Sequence, residues 1–295
     1  METTILVAGA TGDLGGKIIK ALIAKGATVH ALVRKSSDAA KVEMLTNLGA
    51  KVMQVDLADA EALTQACQGV SCVVSALAGL REVIVDAQLL LLNAAVAAGV
   101  PRFIPSDFAT DFTKLPEGEN RNFDLRKEFH THLSKANIAA TSILNGAFTD
   151  ILRYNTPFYN LKNNTVGFWG DADWKVDFTT KDNTADFTAA AALDAATPEI
   201  LRIASFQISA NEIAAIGTEV KKVDFKLIPM GSLASLSEHN KSERAAHPEG
   251  ENQLYTSWQQ SQYMHSMFSV QNNPLDNEHY PDIKWATALE VISRI

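Results

Sequence analysis

Residues Gly9-Ala10-Thr11-Gly12-Asp13-Leu14-Gly15 place three glycines at the spacing G-x-x-G-x-x-G. That pattern can hold a pyrophosphate. The first glycine permits a tight turn, the second lets the backbone approach the phosphates, and the third allows close helix–strand packing. A helix opening there adds unpaired N–H groups and the positive end of its dipole. The motif follows an apolar run, Ile5–Ala8, and precedes a helical pattern, the context a dinucleotide site needs. A phosphate loop of the Walker type at Gly16-Lys17 fails, because residue 11 is Thr and residue 18 is Ile. A second strand pattern ends at Val33 and runs into Arg34-Lys35-Ser36-Ser37. An NAD-preferring site carries Asp or Glu at this point. Two cations and two hydroxyls suit a 2′-phosphate instead, so NADP(H) is the expected cofactor. A solvated basic corner is the bland alternative. Ser75, Ala76 and Leu77, at the end of the fourth strand pattern, are expected to pass the ribose and pyrophosphate.

Proton chemistry points to one helix. Leu125, Phe129 and Leu133 form a stripe at helical spacing. At about 100° per residue, Arg126 lies roughly 60° from the stripe's centre and Lys127 roughly 160°, which turns Lys127 toward solvent. Arginine cannot give up its proton reversibly, but it can hold an anion or a carbonyl oxygen. His130, one turn beyond, titrates in the range of a general acid, although a surface histidine with no partner is the commoner case. His130 and His132 point about 200° apart on a helix and would not share a metal, so no metal site is expected. Asp107 and Asp111 could pair a cofactor or substrate hydroxyl, or cap local turns. The chain has no G-x-S-x-G nucleophile elbow. Trp258, Tyr263, Met264, Met267 and Phe268 fall at near-helical spacing and read as core or as the wall of an apolar pocket.

The elements that must position these residues alternate. Strand patterns at Ile5–Ala8, Thr28–Val33, Lys51–Val55, Cys72–Ser75, Arg102–Pro105 and Ala140–Leu144 are separated by helical patterns at Gly16–Lys25, Asp38–Leu48, Ala60–Cys67, Glu82–Ala98 and Asn122–Ala136. The strands are apolar throughout, as expected where both faces are covered. The fold class is α/β, a Rossmann-type doubly wound parallel sheet. Residues 1–150 are expected to form the cofactor domain. Residues 151–295 are expected to form a smaller substrate domain over the sheet's carboxyl edge, with 176–205 returning to the sheet. The polar stretch Gly231–Glu249 reads as a mobile segment, and Ser209 with Glu212 as a capping box.

The chain has 295 residues, 26 Lys plus Arg against 34 Asp plus Glu, and a net charge of −8, which disfavours a phosphate-backbone partner. Apolar residues make up 46% and charged residues 20%, an ordinary globular balance. Cys67 and Cys72 lack zinc-site spacing and exclude a disulfide framework. The start lacks a signal-peptide pattern, and Asp86, Gln88 and Asn93 break the long apolar stretch Val83–Val100. A cytoplasmic protein with no membrane partner is expected.

Gly9–Gly15, Gly99-Val-Pro-Arg-Phe-Ile-Pro-Ser-Asp-Phe108, Ser134–Thr141 and Asn145-Gly-Ala-Phe148 together resemble the NmrA-like family of atypical short-chain dehydrogenases/reductases, which includes isoflavone reductase-like enzymes of plants. The resemblance covers about residues 1–225. It implies a Rossmann domain binding NADPH, with Pro105, Ser106, Asp107 and Phe108 and Asn145, Gly146, Ala147 and Phe148 flanking the nicotinamide. The usual Tyr-x-x-x-Lys pair is missing from the fifth helix. The literal match Tyr280–Lys284 has Pro281 after the tyrosine and lies near the C-terminus. Isoflavone reductase-like enzymes carry a lysine in an F-x-x-K pattern, where this chain has Phe123-Asp-Leu-Arg126 with Lys127 beside it. The expected function is an NADPH-dependent reductase that passes hydride to a small, aromatic or carbonyl-bearing substrate in a cleft between domains. Arg126 would orient the substrate, and His130 or a water would supply the proton. The alternative is a non-catalytic NADP(H)-binding redox sensor of the NmrA type, favoured by the absent lysine and by a mobile 231–249 segment that could order on binding. A homo-oligomer or a protein partner stays open.

Overall fold

A computed structural model describes residues 3–295. The chain begins with β1 (Thr4–Ala8), α1 (Asp13–Ala24), β2 (Thr28–Val33), α2 (Ala39–Asn47), β3 (Lys51–Gln54), α3 (Ala60–Ala66) and β4 (Cys72–Ser75). A π-helical turn, Glu82–Ala87, leads into α4 (Gln88–Ala97), followed by β5 (Arg102–Ile104), α5 (Arg121–Leu133), β6 (Ala139–Ala140) and β7 (Ser142–Leu144). Then come β8 (Ala147–Phe148), β9 (Thr165–Phe168), β10 (Val176–Thr179), α6 (Lys181–Leu193), β11 (Ile200–Arg202) and β12 (Phe206–Ile208). The last elements are α7 (Ala210–Lys221), β13 (Lys226–Pro229), α8 (Leu233–Ala246), α9 (Ser257–Ser269) and α10 (Ala288–Ser293).

The chain divides into two compact units of similar size. The first comprises residues up to Phe108, Leu125–Ile143 and Thr184–Leu201. The second comprises Ala109–Asp124, Leu144–Asn183 and Arg202–Ile295.

Six strands of the first unit form a sheet in the order β3-β2-β1-β4-β5-β6, and every pairing is parallel. This is the expected α/β architecture, with successive strands joined by helical crossovers. Apolar strand residues and helix faces share one core, in which Leu6, Val73, Phe103 and Phe129 are fully buried. The order reverses between β1 and β4, and loops beyond the carboxyl ends of these two strands meet at the switch point.

Buried Arg102 secures the end of the unit. Its guanidinium donates to the Ala191 carbonyl at 2.7 Å and to the carbonyl of Asp194 and the hydroxyl of Thr197. This ties Thr184–Leu201 back to β5.

In the second unit β12, β10 and β8 form a three-stranded sheet and β13 and β9 pair in parallel. A separate two-stranded sheet joins β7 and β11. Phe158, Phe178 and Phe268 pack ring against ring in its core. Trp258 and Met267 of α9 are buried, so that apolar stripe is core.

Two local expectations are corrected. The glycine loop itself forms the start of α1, which opens at Asp13 rather than Gly16, because Gly12 takes an extended N-cap conformation at φ −75°, ψ 162°. The stretch expected to be mobile is instead α8. Ser232 caps it by accepting from the Ser235 N–H at 3.1 Å, and Leu236 and Asn240 are buried. Its Leu, Ala, Glu, Lys and Arg content is helix-forming, a property that its overall polarity conceals. The capping box at Ser209 and Glu212 is present.

Candidate functional site

The glycine loop fits a group that needs close backbone approach. Gly9 has φ +78°, and a Cβ there would sit 2.4 Å from the Ala76 carbonyl oxygen. A Cβ at Gly15 would sit 2.2 Å from the Gly9 oxygen. The loops after β1 and β4 therefore meet backbone to backbone at Gly9, where a side chain would force them apart, and a side chain at position 15 would push α1 off the Gly9 carbonyl. The Gly12 N–H closes the turn onto the Gly9 carbonyl at 2.9 Å. No side chain caps α1 at Gly12, and the helix opens at the exposed Gly12–Asp13 corner, beside half-buried Thr11 and Leu14. This is the donor arrangement that suits a phosphate group.

Arg34, Lys35 and Ser36 are exposed just past β2, in a turn closed by the Ser37 N–H on the Arg34 carbonyl at 3.0 Å. Asp38 caps α2, its side chain accepting from the Lys41 N–H at 3.0 Å. Ser75 is fully buried at the end of β4, and Ala76 and Leu77 are half-buried behind it.

The loop after β5 is fastened on every side within the first unit. The Ser106 hydroxyl donates to the Leu77 carbonyl at 2.5 Å, and its N–H donates to Gln88 Oε1 at 2.9 Å. Arg126 Nε donates to the Ser106 carbonyl at 3.2 Å. Gln88 is itself anchored on the Ile84 carbonyl at 2.9 Å, so the π-helical turn feeds the same network. Pro105 and Phe108 are buried in this loop.

Asp107 is fully buried, and its Oδ2 lies 2.6 Å from His130 Nε2. The Ser142 hydroxyl donates to the same oxygen at 2.7 Å. His130 therefore has a specific partner, which sequence reasoning had not supplied. Burial pulls the imidazole's pKa down, but the Asp107 charge and hydrogen bond outweigh it and hold the value above the ordinary histidine range; Arg126 acts in the lowering direction. The Asp107 carboxylate is committed to the protein interior rather than to a surface ligand. Lys127 is half-buried, not on an open solvent face, because a helical wheel counts only one packing partner.

Asn145, Gly146, Ala147 and Phe148 belong to the second unit. The Asn145 and Gly146 N–H groups donate to the Ala109 carbonyl at 2.9 and 3.1 Å. Gly146 has φ +64° and packs directly on Asp177, where a Cβ would come within 2.5 Å. Buried Asp177 accepts from Gln207 at 2.7 Å and from the Asn272 N–H at 2.6 Å, and burial raises its pKa. Asp111 pairs with Arg202 at 2.7 Å, a structural ion pair. Lys181 sits over the Phe148 ring at 5.8 Å.

Both cysteines are buried. Burial pushes the Cys67 thiol up to about 11 and the Cys72 thiol up to about 12, which makes them poor nucleophiles. Among the described residues no group of three or more His, Cys, Asp and Glu could hold a metal ion, and no helix is long and apolar enough to cross a membrane. Gln88, Arg102 and Ser142 are the residues the sequence reading left without a role. A polar residue interrupting an apolar helix was the available signal for Gln88.

A parallel sheet in this order, with a glycine-lined turn and an uncapped helix at its switch point, defines a Rossmann-type domain. The chain belongs to the NmrA-like family, which it matches over residues 1–282. It is 32% identical over 205 residues to pinoresinol reductase 2 of Arabidopsis thaliana. That match spans 64% of this chain and 64% of the relative. Its fold is similar to that of AtPrR2 with NADP+ and (+)pinoresinol, at a TM-score of 0.77 and 23% identity, covering 100% of this chain and 99% of that one. It is also similar to the binary complex of leucoanthocyanidin reductase with NADPH from Vitis vinifera, at a TM-score of 0.79 and 18% identity, covering 99% and 98%.

Proposed function

We propose that the protein is an NADPH-dependent reductase acting on a small aromatic substrate with an electrophilic carbon. The observation that carries this reading is the Gly9–Gly15 turn, in which position 9 packs so tightly on Ala76, and position 15 on Gly9, that only glycine fits at either. The relatives' reductase activities on aromatic compounds supply the substrate class. They also favour catalysis over a sensor, and the helical 233–246 segment removes one of the sensor's supports.

In this reading the Gly9–Gly15 backbone and the first turn of α1, with Thr11, Asp13 and Leu14, hold the pyrophosphate. Arg34, Lys35 and Ser36 hold the 2′-phosphate, and Ser75, Ala76 and Leu77 line the ribose. Pro105, Ser106 and Phe108 flank the nicotinamide. Bound NADPH supplies hydride. Arg126, steadied on the Ser106 carbonyl, presents positive charge to an oxygen that gains electron density. His130 holds a proton within the same helix face, with Lys127 as the alternative donor.

Calorimetric titration with NADPH, NADP+, NADH and NAD+ tests the cofactor. The expected result is phosphate-selective binding of both redox forms. Turnover is then measured with (+)pinoresinol, 1,4-naphthoquinone and trans-chalcone. Failure to bind any nucleotide would overturn the reading. Tight binding with oxidation of NADPH by none of the three acceptors would remove the aromatic-reductase assignment.

A further inference from the structure

We propose that Asp107 and Ser142 are positioning residues that hold the His130 imidazole as the proton donor of the reduction, an assignment that rests on the reductase reading above.

Three elements converge on one oxygen. Asp107 comes from the loop after β5, His130 from α5 and Ser142 from β7, and both contacts fall on Asp107 Oδ2, at 2.6 and 2.7 Å. The carboxylate is fully buried, whereas the His130 side chain is 29% exposed. The Nε2 edge of the ring is fixed on the buried carboxylate, while the side chain as a whole stays partly exposed. Asp107 Oδ1 is buried with no hydrogen-bond partner among the described residues. A buried carboxylate so poorly solvated is stabilised best by a full positive charge beside it, and the imidazolium supplies that charge. The Ser142 hydroxyl fixes the rotamer that aims Oδ2 at the ring. The charged groups that act on the His130 charge are Asp107, in its favour, and Arg126, from the preceding turn of α5, against it; burial also opposes the charged form, and Asp107 outweighs both.

The chemistry follows from which nitrogen is engaged. Nε2–H donates to Asp107 in both protonation states, so the proton that leaves comes from Nδ1. Bound NADPH would supply hydride to the substrate's electrophilic carbon and become NADP+, and the electron pair displaced from that carbon would move onto the substrate's oxygen. The Nδ1–H bond breaks, an O–H bond forms, and His130 becomes neutral imidazole still held by Asp107. Water restores the proton.

The test combines two measurements. The His130 ring is titrated by NMR in the cofactor-free wild type, Asp107→Asn and Ser142→Ala. The pH profile of kcat is recorded for the acceptor that the wild type reduces. Asp107→Asn is expected to lower the His130 midpoint by about one unit or more and to move the falling alkaline limb of kcat to lower pH by the same amount. His130→Gln is expected to cost kcat on the order of 100-fold with NADPH affinity unchanged. Ser142→Ala is expected to lower kcat, and Ser142→Thr to restore it. Preserved NADPH affinity reports that each variant is folded. An unmoved His130 midpoint in Asp107→Asn, or wild-type kcat in His130→Gln, would overturn the proposal. If the wild type itself neither binds NADPH nor reduces an acceptor, the reductase reading fails and takes the proton-donor role with it, a loss visible in the wild type rather than in the variants.

Discussion

Gly15 presses on the Gly9 carbonyl so closely that a Cβ at position 15 would lie 2.2 Å from the Gly9 oxygen. The obstacle is backbone, so no side-chain rearrangement relieves it. Gly15→Ala should destabilise the fold by about 1–3 kcal/mol, as overpacking does, and weaken nucleotide binding. The neighbouring Gly16 is helical, and its Cβ would meet only the Ala10 oxygen at an ordinary 3.7 Å. Gly16→Ala should stabilise by about 0.5–1 kcal/mol. Denaturant unfolding of the two variants, adjacent in sequence and opposite in sign, checks the packing argument.

Arg34 and Lys35 stand exposed beyond β2, where a 2′-phosphate would lie. Loss of a hydrogen bond to a charged group costs about 1.5–3 kcal/mol, or roughly tenfold or more in affinity. Arg34→Ala with Lys35→Ala should therefore weaken NADPH much more than NADH in paired calorimetric titrations. Equal losses for the two nucleotides would assign these cations to the surface.

Arg102 is 6% exposed and satisfies carbonyls of α6 and the turn after it. Arg102→Met would keep much of the volume and remove a charged donor from the Ala191 and Asp194 carbonyls and from the Thr197 hydroxyl, at about 1–3 kcal/mol. Arg102→Lys should recover only part of the loss, because an ammonium cannot reproduce the planar fork. Thermal unfolding of the three proteins should rank wild type, lysine, methionine.

Features written in short stretches of sequence were legible. Gly9–Gly15, the alternation of apolar strands with helices and the box of Ser209 with Glu212 each depend on neighbours within a few residues, and each appears in the structure. The Asp107–His130 pair was not legible, because its partners lie 23 residues apart on different elements and only tertiary packing joins them. Arg102 and Ser142 were silent for the same reason. Helix α8 was not legible in the composition of 231–249, because its overall polarity conceals the Ser232 cap and the helix-forming residues behind it.

The pairing of His130 gives stability a pH dependence. Its folded pKa is raised above the ordinary value of 6.5, so the contribution is complete below that value and is lost as pH rises through the folded pKa. The difference in unfolding free energy between wild type and His130→Gln should be largest near pH 5.5 and shrink steadily above neutrality. A difference that grows with pH would mean that the neutral ring is the stabilised form.

Glu119 anchors α8 from the segment before α5, all within the second unit. Its carboxylate accepts from Ser237 at 3.0 and 2.7 Å and from Lys241 at 2.5 Å, and His265 Nδ1 lies 3.6 Å away. Burial pushes its pKa up, but the Lys241 and Ser237 hydrogen bonds and the charges of His265 and Lys241 together hold it below the ordinary carboxylate range. A depressed pKa stabilises above the unfolded value and loses that contribution as pH falls through the folded one. Glu119→Gln should destabilise by about 1–2 kcal/mol at pH 7, and the gap should close toward pH 3. Amide exchange along Leu233–Ala246 should accelerate in the same variant, because the helix loses its tether while keeping the Ser232 cap. Slow exchange in the wild type is the direct signature of an ordered α8, and equal exchange in the variant would place its anchoring on the Leu236 face instead.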